Sequence, residues 1–148
     1  MTKFVKAHAY GNDFLYVERS LVGGFPPAPL AQAMCDRRTG IGADGLILYE
    51  RTAGGATMTL LNADGSGAEV SGNGLRGLAA LLLREDDREQ AGVTIVTDAG
   101  EKRVTRTARD GSKQTFRAAM GPPADMRQVS LMAAGDTLKA IALNMGNP

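Results

Sequence analysis

The sequence contains no tryptophan, one cysteine (Cys35), one histidine (His8) and few aromatic residues, 5% of 148. Each shortage excludes something. A single cysteine rules out an intrachain disulfide and makes a reducing compartment the natural expectation. Neither charge sign dominates, with 17 Lys plus Arg against 16 Asp plus Glu and a net charge of +1. That balance argues against nucleic acid or an anionic membrane as a partner. Long apolar runs are also missing, because the longest, Leu78 to Leu83, is far too short to span a bilayer. The opening Met-Thr-Lys-Phe-Val-Lys-Ala-His lacks the apolar core of a signal peptide, so a cytoplasmic protein is expected. The remaining composition, 43% hydrophobic and 22% charged, suits a soluble domain with a real core. The length fits one domain, or one half of a bilobed protein.

Glycine is what the chain has in quantity. Its 19 glycines gather at Gly40 to Gly45, Gly54 to Gly55 and Gly65 to Gly77. Such clusters mean tight turns, or backbone held close to something else.

Periodicity predicts strands over 3–8, 46–50, 57–61, 93–97, 103–107, 114–119 and 138–144, bounded by Gly, Asp or Pro. It predicts helices over 28–37, entered through Pro26-Pro27, and over 75–88. The second helix is apolar around nearly its whole circumference for two turns, so it should be enclosed. Many short strands and one enclosed helix predict an α+β fold, an antiparallel sheet curled around that helix. No strand-helix-strand alternation demands parallel pairing. The last residues read as a strand running into Gly-Asn-Pro, as if the domain were cut there rather than finished.

Gly72-Asn-Gly-Leu-Arg-Gly77 matches the G-x-G-x-x-G pattern of dinucleotide-binding folds, and Gly40 to Gly45 matches it again. The pattern needs a buried apolar strand directly before the first glycine. The first match follows a polar turn, Asp64 to Ser71, and the second leads from a helix into a strand. Neither context supports a nucleotide. A polar, glycine-rich turn before a helix can instead bind a carboxylate, through unpaired N–H groups and the positive end of the helix dipole. The blander alternative is that Ser71 or Asn73 only caps the helix.

Five blocks change the weighing. Gly11-Asn-Asp-Phe14, Asp36-Arg-Arg-Thr-Gly-Ile-Gly-Ala-Asp-Gly-Leu46, Asn62-Ala-Asp-Gly-Ser66 with Ser71-Gly-Asn-Gly-Leu-Arg76, Thr97-Asp-Ala-Gly100 and Met145-Gly-Asn-Pro148 resemble, in order, signatures of the diaminopimelate epimerases. The resemblance implies a two-lobed protein whose halves share a fold, each a curved, mainly antiparallel sheet around a central α-helix. Residues 1–148 would be the N-terminal lobe, without the second. It also implies cofactor-independent epimerisation of diaminopimelate, from the LL to the meso form, in lysine and peptidoglycan precursor synthesis. In that chemistry two cysteines flank the α-carbon, one removing a proton as thiolate and one delivering a proton to the opposite face.

Carried over by position, Gly72 and Asn73 would bind the α-carboxylate through backbone N–H groups. Asn12, Asn62 and Asn147 would hold the rest of the amino acid through their amides. For Asn12 and Asn62 the competing reading is turn formation beside Gly11 and before Asp64-Gly65. No metal or cofactor is expected. His8 and Cys35 read as structural, and Asp86 to Glu89 as a solvated helix end.

Two departures bear on activity. Ser71 stands where the family carries its catalytic cysteine, and an alcohol is a far weaker acid than a thiol. A second lobe with the partner cysteine is not in the sequence. Gly77 also replaces a further cysteine that many members carry after the arginine. The expectation is a chain inactive by itself. A related amino-acid racemase or isomerase, or a non-catalytic ligand-binding or interaction domain, are the alternatives. An open inter-lobe face would also give a route to a homodimer.

Overall fold

The computed structural model describes residues 3–144. The alternating stretch at the start forms β1 (Val5–Ala9), which turns through Tyr10-Gly11 into β2 (Asn12–Glu18). Both turn residues have positive φ, 54° and 85°, the two-residue geometry that matches hairpin twist. After one 3-10 turn come α1 (Pro27–Cys35), β3 (Gly45–Thr52), β4 (Gly55–Asn62), β5 (Gly67–Ala68) and α2 (Gly72–Leu82). The chain continues through β6 (Ala91–Thr97), β7 (Gly100–Asp110) and β8 (Lys113–Ala118). It then forms a separate hairpin of β9 (Ala124–Ala133) and β10 (Asp136–Asn144).

Eight strands form one sheet in the order β1-β2-β3-β4-β6-β7-β8, with β5 paired to β4. Five of its pairings are antiparallel, which agrees with the mainly antiparallel α+β expectation. The other two, β2 with β3 and β4 with β6, are parallel, and a helix crosses between the strands each time. So strand-helix-strand units are present, contrary to the sequence reading. They were hidden because β2 shows no alternation. Leu15 and Val17 face the core under α1, while Phe14 and Tyr16 face the core around α2. A strand buried on both faces reads as a plain apolar run, here Phe-Leu-Tyr-Val.

The helix α2 lies in the trough of the curled sheet, touching β1 and β2 on one side and β6, β7 and β8 on the other. None of its residues is exposed, and Leu75, Leu78 and Ala79 are fully buried, so the enclosed helix is as expected. Its bounds differ from the prediction at both ends. It starts at Gly72 because Ser71 caps it, and it stops at Leu82 because Arg106 captures the carbonyls beyond. The Arg106 side chain is completely buried. It donates to Leu83 O at 3.0 Å, Gln114 Oε1 at 2.9 Å, Asp86 O at 2.5 Å and also Arg88 O. Arg109 donates to Arg84 O and Asp86 O. Residues 84–89 are therefore a backbone-pinned loop rather than a helix end, although their side chains are mostly solvated, as expected.

The β9–β10 hairpin differs in kind from the lobe. Its turn, Ala134-Gly135, has the same doubly positive φ as Tyr10-Gly11. Its apolar side chains lie open, Met132 75% and Ile141 70% exposed. Only β10 was legible in the sequence; β9 was not. Among the described residues no helix is long and apolar enough to cross a membrane.

Candidate active site

At the N-terminus of α2, Ser71 has extended backbone (φ −132°, ψ 122°) and its Oγ accepts from Gly74 N at 3.1 Å. Its carbonyl accepts the first helical bond, from Leu75 N at 2.8 Å. The N–H groups of Gly72 and Asn73 occupy the first two helical positions, where no carbonyl of the helix can reach them. Among the described residues neither has a partner.

The glycines here do different things. A Cβ on Gly72 would meet nothing nearer than Arg76 Nη1 at 3.7 Å and Met120 Sδ at 3.9 Å, so its face is open. A Cβ on Gly74 would lie 2.9 Å from Ile47 Cδ1, so this glycine serves packing rather than ligand approach. A Cβ on Gly77 would fall 1.9 Å from the Tyr16 hydroxyl, which itself donates to Gly74 O at 3.2 Å. Tyr16 thus fills the space that a cysteine at position 77 would need. Burial pushes its phenol well above the usual range, so it stays a neutral donor.

Asn12 and Asn73 are brought together from 61 residues apart, with Asn73 Nδ2 donating to Asn12 Oδ1 at 3.3 Å. Asn12 Nδ2 donates to Asp44 Oδ2 at 2.8 Å, and Arg76 Nη1 donates to Asn73 Oδ1 at 3.1 Å. Asn62 takes the blander role. Its Nδ2 donates to Ser66 Oγ at 3.0 Å, and its N–H to Ser66 O at 2.8 Å, closing the turn after β4. It still adjoins the site, because the next residue, Ala63, donates its N–H to Asp44 O at 3.1 Å. Asn147 lies outside the described residues.

The sequence reading did not single out the charged cluster behind Asn12. Arg37 Nη2 donates to Asp13 Oδ1 at 2.6 Å and to Asp44 Oδ1 at 2.9 Å, and Lys6 Nζ lies 3.2 Å from Asp13 Oδ2. Arg37 holds the Asp13 carboxyl well below the usual carboxylate range. These residues, Lys6 apart, sit inside two of the quoted sequence blocks. Their pairing spans 24 and 31 residues, so no local pattern reveals it. Cys35 is buried, as its structural reading expects, and burial first of all pushes its thiol up to about 11; His8 is exposed on β1.

The Gly72 and Asn73 N–H groups open the helix beside Arg76, and the serine hydroxyl already serves as cap. Such an arrangement can hold an anion. No general base faces Ser71 Oγ among its described partners, which comprise Gly74 N–H alone.

The family model for diaminopimelate epimerase matches residues 4–125. The chain belongs to the diaminopimelate epimerase family. It is 34% identical to the diaminopimelate epimerase of Corynebacterium aurimucosum over a 163-position alignment, covering 99% of this chain and 58% of that one. Against the Natranaerobius thermophilus enzyme it is 40% identical over 107 residues, 69% of this chain and 35% of the relative. The chain thus spans little more than half the length of the curated relatives it matches. Among solved structures, a hydroxyproline epimerase from Agrobacterium vitis has the same fold. Its TM-score is 0.60 at 16% identity, over 95% of this chain and 48% of that one.

Proposed function

We propose that this chain forms the carboxylate-binding half of a cofactor-independent epimerase site for diaminopimelate or a close amino-acid relative. The observation that carries the reading is the pair of unpaired N–H groups on Gly72 and Asn73, at the positive end of an enclosed helix. Removing an α-proton builds negative charge that spreads into the carboxylate, and fixed donors aimed at it lower that barrier. Asn12 reaches the same opening through Asn73, and Asn62 and Asn147 would join it. A second lobe would supply the opposing proton-transfer group and close the site against water.

Ser71 divides recognition from catalysis. A thiol at this helix end would have its pKa lowered and act as thiolate. The serine hydroxyl titrates far higher, and its oxygen is occupied by Gly74 N–H. The chain should therefore bind without exchanging protons. In heavy water with diaminopimelate, the α-hydrogen is expected to persist, as followed by proton NMR. Robust exchange of that hydrogen by this chain would sink the reading. The cap bond of Ser71 favours, as the second reading, a non-catalytic ligand-binding domain. A Ser71→Cys substitution in a two-lobed form that restores no epimerisation would support it.

A further inference from the structure

We infer that Asp44 and Arg76 are positioning residues that fix the direction of a two-amide relay, so that each amide turns its carbonyl into the relay and keeps one N–H free for a ligand. The relay runs from Asp44 Oδ2 to Asn12 (2.8 Å), on to Asn73 (3.3 Å) and ends at Arg76 Nη1 (3.1 Å). An asparagine amide has no direction of its own, because exchanging its oxygen and nitrogen leaves its shape almost unchanged. The ends decide. A carboxylate can only accept and a guanidinium can only donate. Asn12 must therefore turn its NH2 to Asp44 and its carbonyl to Asn73. Asn73 in turn gives its NH2 to Asn12 and its carbonyl to Arg76. Reversing either amide would set like against like at both of its contacts.

The accepting end is itself held in place. Asp44 Oδ1 accepts from Arg37 Nη2, and Oδ2 accepts a second bond from Asp13 N at 3.1 Å. Arg37 is tied in turn to Asp13, whose backbone and side-chain oxygens both accept from Asp44 N at 3.0 Å. Each amide turns its carbonyl to its partner in the relay, while each NH2 keeps one hydrogen. Arg76 Nη1 would lie 3.7 Å from a Cβ on Gly72, so the guanidinium stands alongside the Gly72 and Asn73 N–H groups. A carboxylate at this entrance meets those N–H groups and the Arg76 charge. A carboxamide would bring its own NH2 against them, so the relay discriminates between the two.

The ligand arm of the test rests on the carboxylate reading above; the relay arm does not. In the free chain, side-chain amide hydrogen exchange by NMR should show one slowed N–H on each of Asn12 and Asn73. Asp44→Asn can accept or donate, and Arg76→Gln does the same at the far end, so either should abolish that asymmetry. With meso-diaminopimelate as probe, followed through the Gly72 and Asn73 backbone amides, Asp44→Asn should bind about fivefold more weakly, the scale of one hydrogen bond. Charge alone argues the opposite sign, since the variant removes a negative group beside an anion. Unchanged or tighter binding by Asp44→Asn, or equal exchange of both N–H protons in the parent chain, would overturn the inference. Should Asp44→Asn fail to fold, Arg76→Gln decides the relay through the same exchange measurement. If the parent chain binds no probe, the carboxylate reading falls and the exchange data still decide the relay.

Discussion

The two ends of α2 are treated in opposite ways. At the C-terminal end, Arg106 and Arg109 reach from β7 to satisfy the carbonyls that the helix and its following loop release. At the N-terminal end, one serine satisfies the Gly74 N–H and, among the described residues, the two donors before it are left open. A helix must leave such groups at both ends, and proteins generally cover them. Covering one end with a buried arginine while leaving the other bare separates stability from recognition. The closed end anchors the helix, and the open end is free to take a ligand.

The largest effect should come from breaking the closed end. Arg106→Met would leave Gln114 Oε1 and Arg88 O without their donor and take a second donor from Leu83 O and Asp86 O, so a loss of about 2–4 kcal/mol is expected. Urea unfolding of the parent and variant chains measures it, and a loss below about 1 kcal/mol would show that the loop finds other donors. Part of the gain from Arg106 is already forfeited, because its buried Nε has no partner. At the open end, Ser71→Ala removes only the cap, and about 1 kcal/mol should be lost in the same assay. A cost equal to that of Arg106→Met would erase the proposed asymmetry.

The smallest effect is electrostatic and touches both ends. Arg88, bonded to Asp86, lowers that carboxyl to about 2, and Arg37 lowers Asp13 beside the open end. A folded-state value below the unfolded one means stability that is present above about pH 4 and is lost as pH falls through the folded value. Thermal melts should therefore decline from about pH 5 to about pH 2, with a shallower decline for Asp86→Asn. A melting temperature that rises with acid over that range would contradict the assignment. Because Asp86 pairs with an exposed arginine, added salt should blunt its share.

Much of the fold was legible because burial writes itself into local pattern. The apolar run from Leu75 onward announced an enclosed helix, and the alternation of β1 and the Gly-Gly turn before β4 announced strands. β2 was missed because both of its faces are covered, which removes the alternation that marks a strand. β9 was missed for the opposite reason, since nothing in the described residues covers it and its start, Ala-Asp-Met-Arg-Gln, carries no apolar alternation. The helix ended early because Arg106, 24 residues after Leu82, intervenes from another strand. No property of residues 83–88 foretells that.

The turn from Ser71 to Asn73 followed from sequence alone: a cap residue, two open helical N–H groups and a serine in place of a thiol are all consequences of local order. The chain's own residues therefore determined a capped helix entrance with two donors that no carbonyl of the helix can reach, and a serine where the proposed chemistry would need a thiol. Only the tertiary structure decided which way the asparagines point. Their direction is imposed by Asp44 and Arg76, and Asp44 reaches Asn12 across 32 residues and Asn12 reaches Asn73 across 61. A hydrogen-bonded chain takes its polarity from its ends, and those ends become neighbours only when the sheet has closed around the helix.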